Sequence, residues 1–105
     1  MYKQKIITAI QKQEWLRITF QRKKDNICVT RDIAPYDIFS QETGKHKGED
    51  RLIGYTKTHE DYRPGVISLY LNEIINVVNT GERFDGHIIK RLINPKRPPY
   101  IPRDW

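Results

Sequence analysis

The residues best suited to chemistry are arginines near aromatic side chains: Arg17, Arg31 and Arg63, with Tyr55. A guanidinium can grip a phosphate through two parallel N–H···O bonds, which adds geometry to charge. A tyrosine ring offers a face on which a base can stack. Arg63 adjoins Tyr62, and Tyr55 lies a short way upstream. Together they suit a nucleotide or single-stranded nucleic acid; core packing is the competing use of the tyrosines. Arg31 shares an alternating face with Ile27, Val29 and Ile33, where an unpaired charge is costly. It needs a partner: an ion pair with Glu14, Asp32 or Glu73, or a bound anion. Lys12, Arg17, Arg22, Lys23 and Lys24 form a basic cluster near it in sequence.

Other chemistries find little support. The histidines are His46, His59 and His87, and none forms an H-x-x-x-H pair. Glu49-Asp50 and Glu60-Asp61 fall in polar loops, where solvation explains them and nothing separates their pKa values. There is no G-x-x-x-x-G-K phosphate loop and no nucleophile elbow. The expectation is a chain that is not an enzyme, with no metal and no cofactor. Cys28 is the sole cysteine, so an internal disulfide is excluded. Between Ile27 and Val29 it reads as a buried thiol. The net charge is +6, with a pI near 9.6. That balance fits a polyanionic partner, or simply solubility.

These side chains must be held by short elements of one domain, which is what 105 residues make. Residues 2–13 read as a helix, with Ile6, Ala9, Ile10 and Gln13 at helical spacing. Residues 15–22 then alternate, with Leu16, Ile18 and Phe20 on one face and Arg17 and Thr19 on the other. Lys23 to Asn26 make a hairpin turn. A second strand covers 27–34, where Pro35 must end it or sit at an edge or bulge. Residues 36–40 extend or bend that strand, and 41–50 form an exposed loop. A third strand covers 51–58, with Gly54 marking a bend or a close backbone approach. A turn closes at Pro64-Gly65, a fourth strand covers 66–70, and residues 71–74 form one helical turn. A fifth strand covers 75–79 and ends before Thr80-Gly81. Residues 84–93 suit a second helix. Residues 94–105 form a basic, proline-rich tail that wraps the domain or docks on a second copy through Tyr100, Ile101 and Trp105.

A leading helix followed by regularly spaced short strands argues for a mainly β fold: a small five-stranded SH3-like or Sm-like barrel, with an OB-fold as second choice. The expected core is Leu16, Ile18, Phe20, Val29, Ile33, Leu52, Leu69, Leu71, Ile74 and Val77.

Residues 6–84 also resemble a known family. Ala9-Ile10 near a helix end precedes a strand that closes on the aromatic Phe20. The element Arg31-Asp32-Ile33-Ala34-Pro35 follows, then Leu52-Ile53-Gly54-Tyr55, then Arg63 before an aliphatic strand and the Leu71, Ile74, Val77 close. This ordered set resembles the WYL domain, an Sm-like barrel that serves as a sensor module in bacterial transcription regulators. The residues that name the family fall near Asp50-Arg51-Leu52, where only the leucine is kept. The resemblance implies a sensor pocket near Arg17, Arg31, Tyr55 and Arg63.

The expectation is therefore a WYL-like barrel over 1–84 with an accessory helix and tail over 85–105. It is a non-catalytic regulatory domain that recognises a nucleotide or single-stranded nucleic acid. The alternative is a protein–protein interaction module, or homodimer, using the barrel edge and the tail. No run approaches the about 18–20 apolar residues of a membrane span, so a cytoplasmic chain without a membrane partner is expected.

Overall fold

The computed structural model describes residues 2–40, 42–45, 47–56 and 65–105. Helix α1 (Lys3–Lys12) buries Ile6, Ala9 and Ile10, the thin apolar stripe expected of a helix that covers a sheet. Gln13 ends it with φ +59°, its N–H turned back to the carbonyls of Ala9 and Ile10.

Five antiparallel strands follow: β1 (Glu14–Arg22), β2 (Ile27–Ser40), β3 (Asp50–Thr56), β4 (Gly65–Tyr70) and β5 (Ile74–Arg83). They form one sheet in the order β4-β3-β2-β1-β5. A 3-10 turn, Leu71–Glu73, carries the chain from one outer strand to the other. That order and crossover are those of a small SH3-like or Sm-like barrel. Leu16, Ile18 and Phe20 of β1 face Ile33, Arg31 and Val29 of β2 across the ladder. The inner face so formed is buried with Leu52, Leu69, Ile74 and Val77. Leu71, also expected in the core, is half-buried against it.

Two residues bend the sheet where the sequence marks them. The β2–β3 register shifts between Pro35 and Asp37, a bulge that accommodates the missing proline donor. The strand does not end there, but runs on to Ser40. At Gly54 a Cβ would lie 2.6 Å from Ile33 Cγ2 and 2.7 Å from the Ala34 carbonyl oxygen, so only glycine lets these strands approach.

Two expectations need correction, and a third falls outside the described residues. Cys28 is exposed, because it pairs with Gln21 on the outer face while Val29 turns inward. The strand β5 continues through Thr80-Gly81 to Arg83, with Gly81 at φ +84° inside it. The third strand is described only to Thr56; Thr58 lies outside the described residues.

Helix α2 (Gly86–Ile93) starts at Asp85, whose side chain accepts the His87 N–H at 3.0 Å. It packs Ile89 into a second, outer cluster with Trp15, Ala34, Tyr36 and Phe84. The tail lies on the same molecule. The backbone N–H groups of Tyr100 and Ile101 bond the buried carboxylate of Asp37. The Trp105 ring meets Tyr36 and Phe84 edge-on, with centroids 5.7 and 5.6 Å away. Arg103 stacks 4.2 Å from the centres of both the Tyr36 and Trp105 rings. Burial lowers its pKa from the ordinary arginine value, opposed by Tyr36 and Asp37.

Candidate functional site

The hairpin between β1 and β2 and the strand β4 enclose a pocket of about 280 Å³ on the inner face. Alternation builds it. Phe20 points inward from β1, Val29 and Arg31 from β2, Ile67 and Leu69 from β4. Most of the wall is therefore apolar, and the deepest polar group is Arg31.

Arg31 is only 7% exposed. One terminal nitrogen donates to its own neighbour, the Thr30 carbonyl, at 3.0 Å. Its Nε is buried without any hydrogen-bond partner. The expected ion pair with Glu14, Asp32 or Glu73 is not formed among the described residues. A guanidinium in this state is unfavourable unless something else answers its charge.

The rim is basic but partly committed. Arg22 forms a two-pronged pair with Asp25, at 3.1 and 2.7 Å. This bond holds the Asp25 carboxyl below the usual carboxylate range. Lys23 is exposed and lies 5.4 Å from the centre of the Tyr70 ring. Arg51 sits 5.3 Å from the same ring and also donates to Ser68, a pocket residue.

The sheet does not bring Arg17 or Tyr55 to Arg31. Arg17 points outward and pairs with Asp32 across the ladder, at 2.9 and 3.2 Å. That bond raises its pKa further above the ordinary arginine value. Tyr55 pairs with Ala34, one residue out of phase with Ile33 and Arg31, so it also faces outward. It lines a different hollow of about 290 Å³, with Trp15, Phe84 and the α2 residues Ile88 and Leu92. Arg63, with Tyr62, His59 and Glu60-Asp61, lies outside the described residues, as does His46. Among the described residues no three His, Cys, Asp or Glu side chains gather as metal ligands would.

Glu73 and Ser68 belong to the pocket, and sequence reading did not place them there. Glu73 was visible only as a possible partner for Arg31. Its place at the pocket depends on the 3-10 turn, where its Oε1 accepts the Tyr70 N–H at 3.1 Å.

No protein-family model matches the chain, and no curated protein matches it. Among solved structures, proteasome accessory factor B/C (PafBC) of Arthrobacter aurescens is similar, with a TM-score of 0.65 at 19% sequence identity. The match covers 80% of this chain and 12% of that one, so this chain corresponds to a small part of a much longer protein. At that identity the likeness is one of fold.

Proposed function

We propose that this chain is a non-catalytic regulatory domain that binds a nucleotide or single-stranded nucleic acid, with Arg31 receiving a phosphate. The observation that carries this reading is the buried Arg31 guanidinium, with an unpartnered Nε, in an apolar-walled pocket. A bound anion would answer the charge that burial takes out of water at Arg31. The net charge of +6 and the exposed Lys23 at the rim favour approach of an anion. The regulatory role rests on the resemblance of residues 6–84 to the WYL sensor module, and the likeness to PafBC adds a shared fold. The ligand-binding unit is residues 1–84, and 85–105 braces it. Arg63 is retained as a second phosphate contact. The site of action is the cytoplasm; among the described residues no helix is long and apolar enough to cross a membrane.

Fluorescence anisotropy with a labelled oligonucleotide at several salt concentrations tests this. Each lost phosphate contact should lower the log–log salt slope by about 0.7 for a single strand. Arg31→Ala and Arg63→Ala should each do so. Wild-type affinity in both variants would reject the site.

A protein-interaction role is the second reading, and one observation favours it. Ile88 and Leu92 are each 47% exposed beside the hollow of Trp15, Tyr55 and Phe84. Leu92→Glu separates the two roles, because it leaves the Arg31 pocket untouched.

A further inference from the structure

The Arg31 pocket is not uniformly basic, because Glu73 lines it as well. The Glu73 side chain is half-buried and tethered by the Tyr70 N–H. An ionised carboxylate has about four lone-pair sites and no donor, so one backbone bond leaves most of its accepting capacity open. Toward a bare phosphate such a group is repulsive. It becomes favourable only if the ligand also presents N–H donors.

The nucleobases differ sharply in this respect. The pairing edges of adenine, cytosine and uracil nowhere set two donors side by side. Guanine sets two donors side by side, N1–H and the N2 amine, which match the two oxygens of a carboxylate. The apolar side chains Phe20, Val29, Ile67 and Leu69 supply walls for a flat ring. At about 280 Å³ the pocket falls just below the roughly 300–1,000 Å³ of ligand sites, which suits one nucleotide unit and not a run of bases.

We propose that the pocket selects a guanine nucleotide, with Arg31 on the phosphate and Glu73 on the N1–H and N2 amine edge. This rests on the reading of Arg31 as the anion contact.

The test is isothermal titration of the whole chain with the 5′-monophosphates of guanosine, adenosine, cytidine and uridine. Wild type should bind the guanine nucleotide at least about tenfold more tightly than the other three, a ratio one charge-assisted hydrogen bond can supply. Glu73→Gln keeps an oxygen for the Tyr70 N–H, so the turn is preserved, but replaces an acceptor by a donor. In that variant the four nucleotides should bind alike, and the repulsion of phosphate is relieved. A guanine preference that survives Glu73→Gln overturns the proposal. So does equal binding of all four by wild type; if Arg31→Gln then abolishes that binding, the phosphate reading stands without the selectivity. No binding of any of the four at low salt overturns both.

Discussion

The indole N–H of Trp105 donates to the backbone carbonyl of Ile10 at 2.8 Å. Ile10 lies in the last turn of α1, and its carbonyl, which also receives the Gln13 N–H, has a second lone pair to offer. The far end of the chain thus caps the first helix. Trp105→Phe keeps an aromatic face but loses the donor and half of the bicycle, and should cost at least about 1 kcal/mol in urea denaturation. The ring also sets what its neighbour can be. A Cβ on Gly86 would lie 2.5 Å from Trp105 ring atoms. Gly86→Ala should therefore destabilise the wild type. In a Trp105→Ala background the cost should fall, leaving only the contact with Gln13 Oε1, 2.8 Å from that Cβ, to be relieved by a side-chain shift. Additive costs in that double-mutant cycle would show that the ring is not docked there.

The tail is held by a second tie. Asp37 is buried, and its carboxylate accepts the Tyr100 and Ile101 N–H groups at 3.0–3.2 Å. Asp37→Ala leaves both donors without partners, a cost of about 1–3 kcal/mol. Hydrogen exchange should accelerate at Tyr100 and Ile101 while the amides of β1 and β2 stay protected. Equal acceleration throughout would mean that Asp37 supports the barrel and not the tail.

How far these ties were legible depends on the kind of signal. Period-2 alternation located Leu16, Ile18, Phe20, Val29 and Ile33 on the inner face, because burial enforces that period. Pro35 and Gly54 announced a bulge and a close approach through their own backbone chemistry. The outward turn of Cys28 was written in the same alternation, but its apolar neighbours pointed the other way. Register was not legible. It is register that pairs Arg17 with Asp32 and sets Tyr55 on the opposite face from Arg31. Nor did any local pattern link Asp37 to Tyr100, since that contact spans most of the chain. Gly81 read as the end of a strand because its positive φ is a turn signal, yet here β5 carries it in mid-course.

Acid should weaken the β2–β3 pairing at Asp50. Its carboxylate accepts the Ser40 hydroxyl at 2.8 Å and pairs with Lys3 at 3.0 Å. Those bonds, the serine first, hold its pKa below the ordinary value. A lowered folded-state pKa adds stability above the unfolded value of about 3.9, and that increment is lost as pH falls through the folded value. The urea midpoint should drop between about pH 5 and pH 2, and less steeply in Asp50→Asn. The decline should not vanish, because Asp25 is lowered in the same direction by Arg22. Identical slopes in both proteins would remove Asp50 from the account.

The ligand-binding role proposed for this chain turns on why Arg31 is buried without a carboxylate partner. If it is kept for a ligand, the folded chain bears a cost that an apolar side chain of similar length would relieve. The direct measurement is Arg31→Met, with urea denaturation and nucleotide titration on the same preparation. The account predicts stability unchanged or raised by about 1–3 kcal/mol, after allowance for the lost bond to Thr30. Nucleotide affinity should fall at least about tenfold, the effect of losing one charge-assisted contact. A variant that is markedly less stable yet binds nucleotide as wild type does would contradict it, and would make Arg31 part of the scaffold.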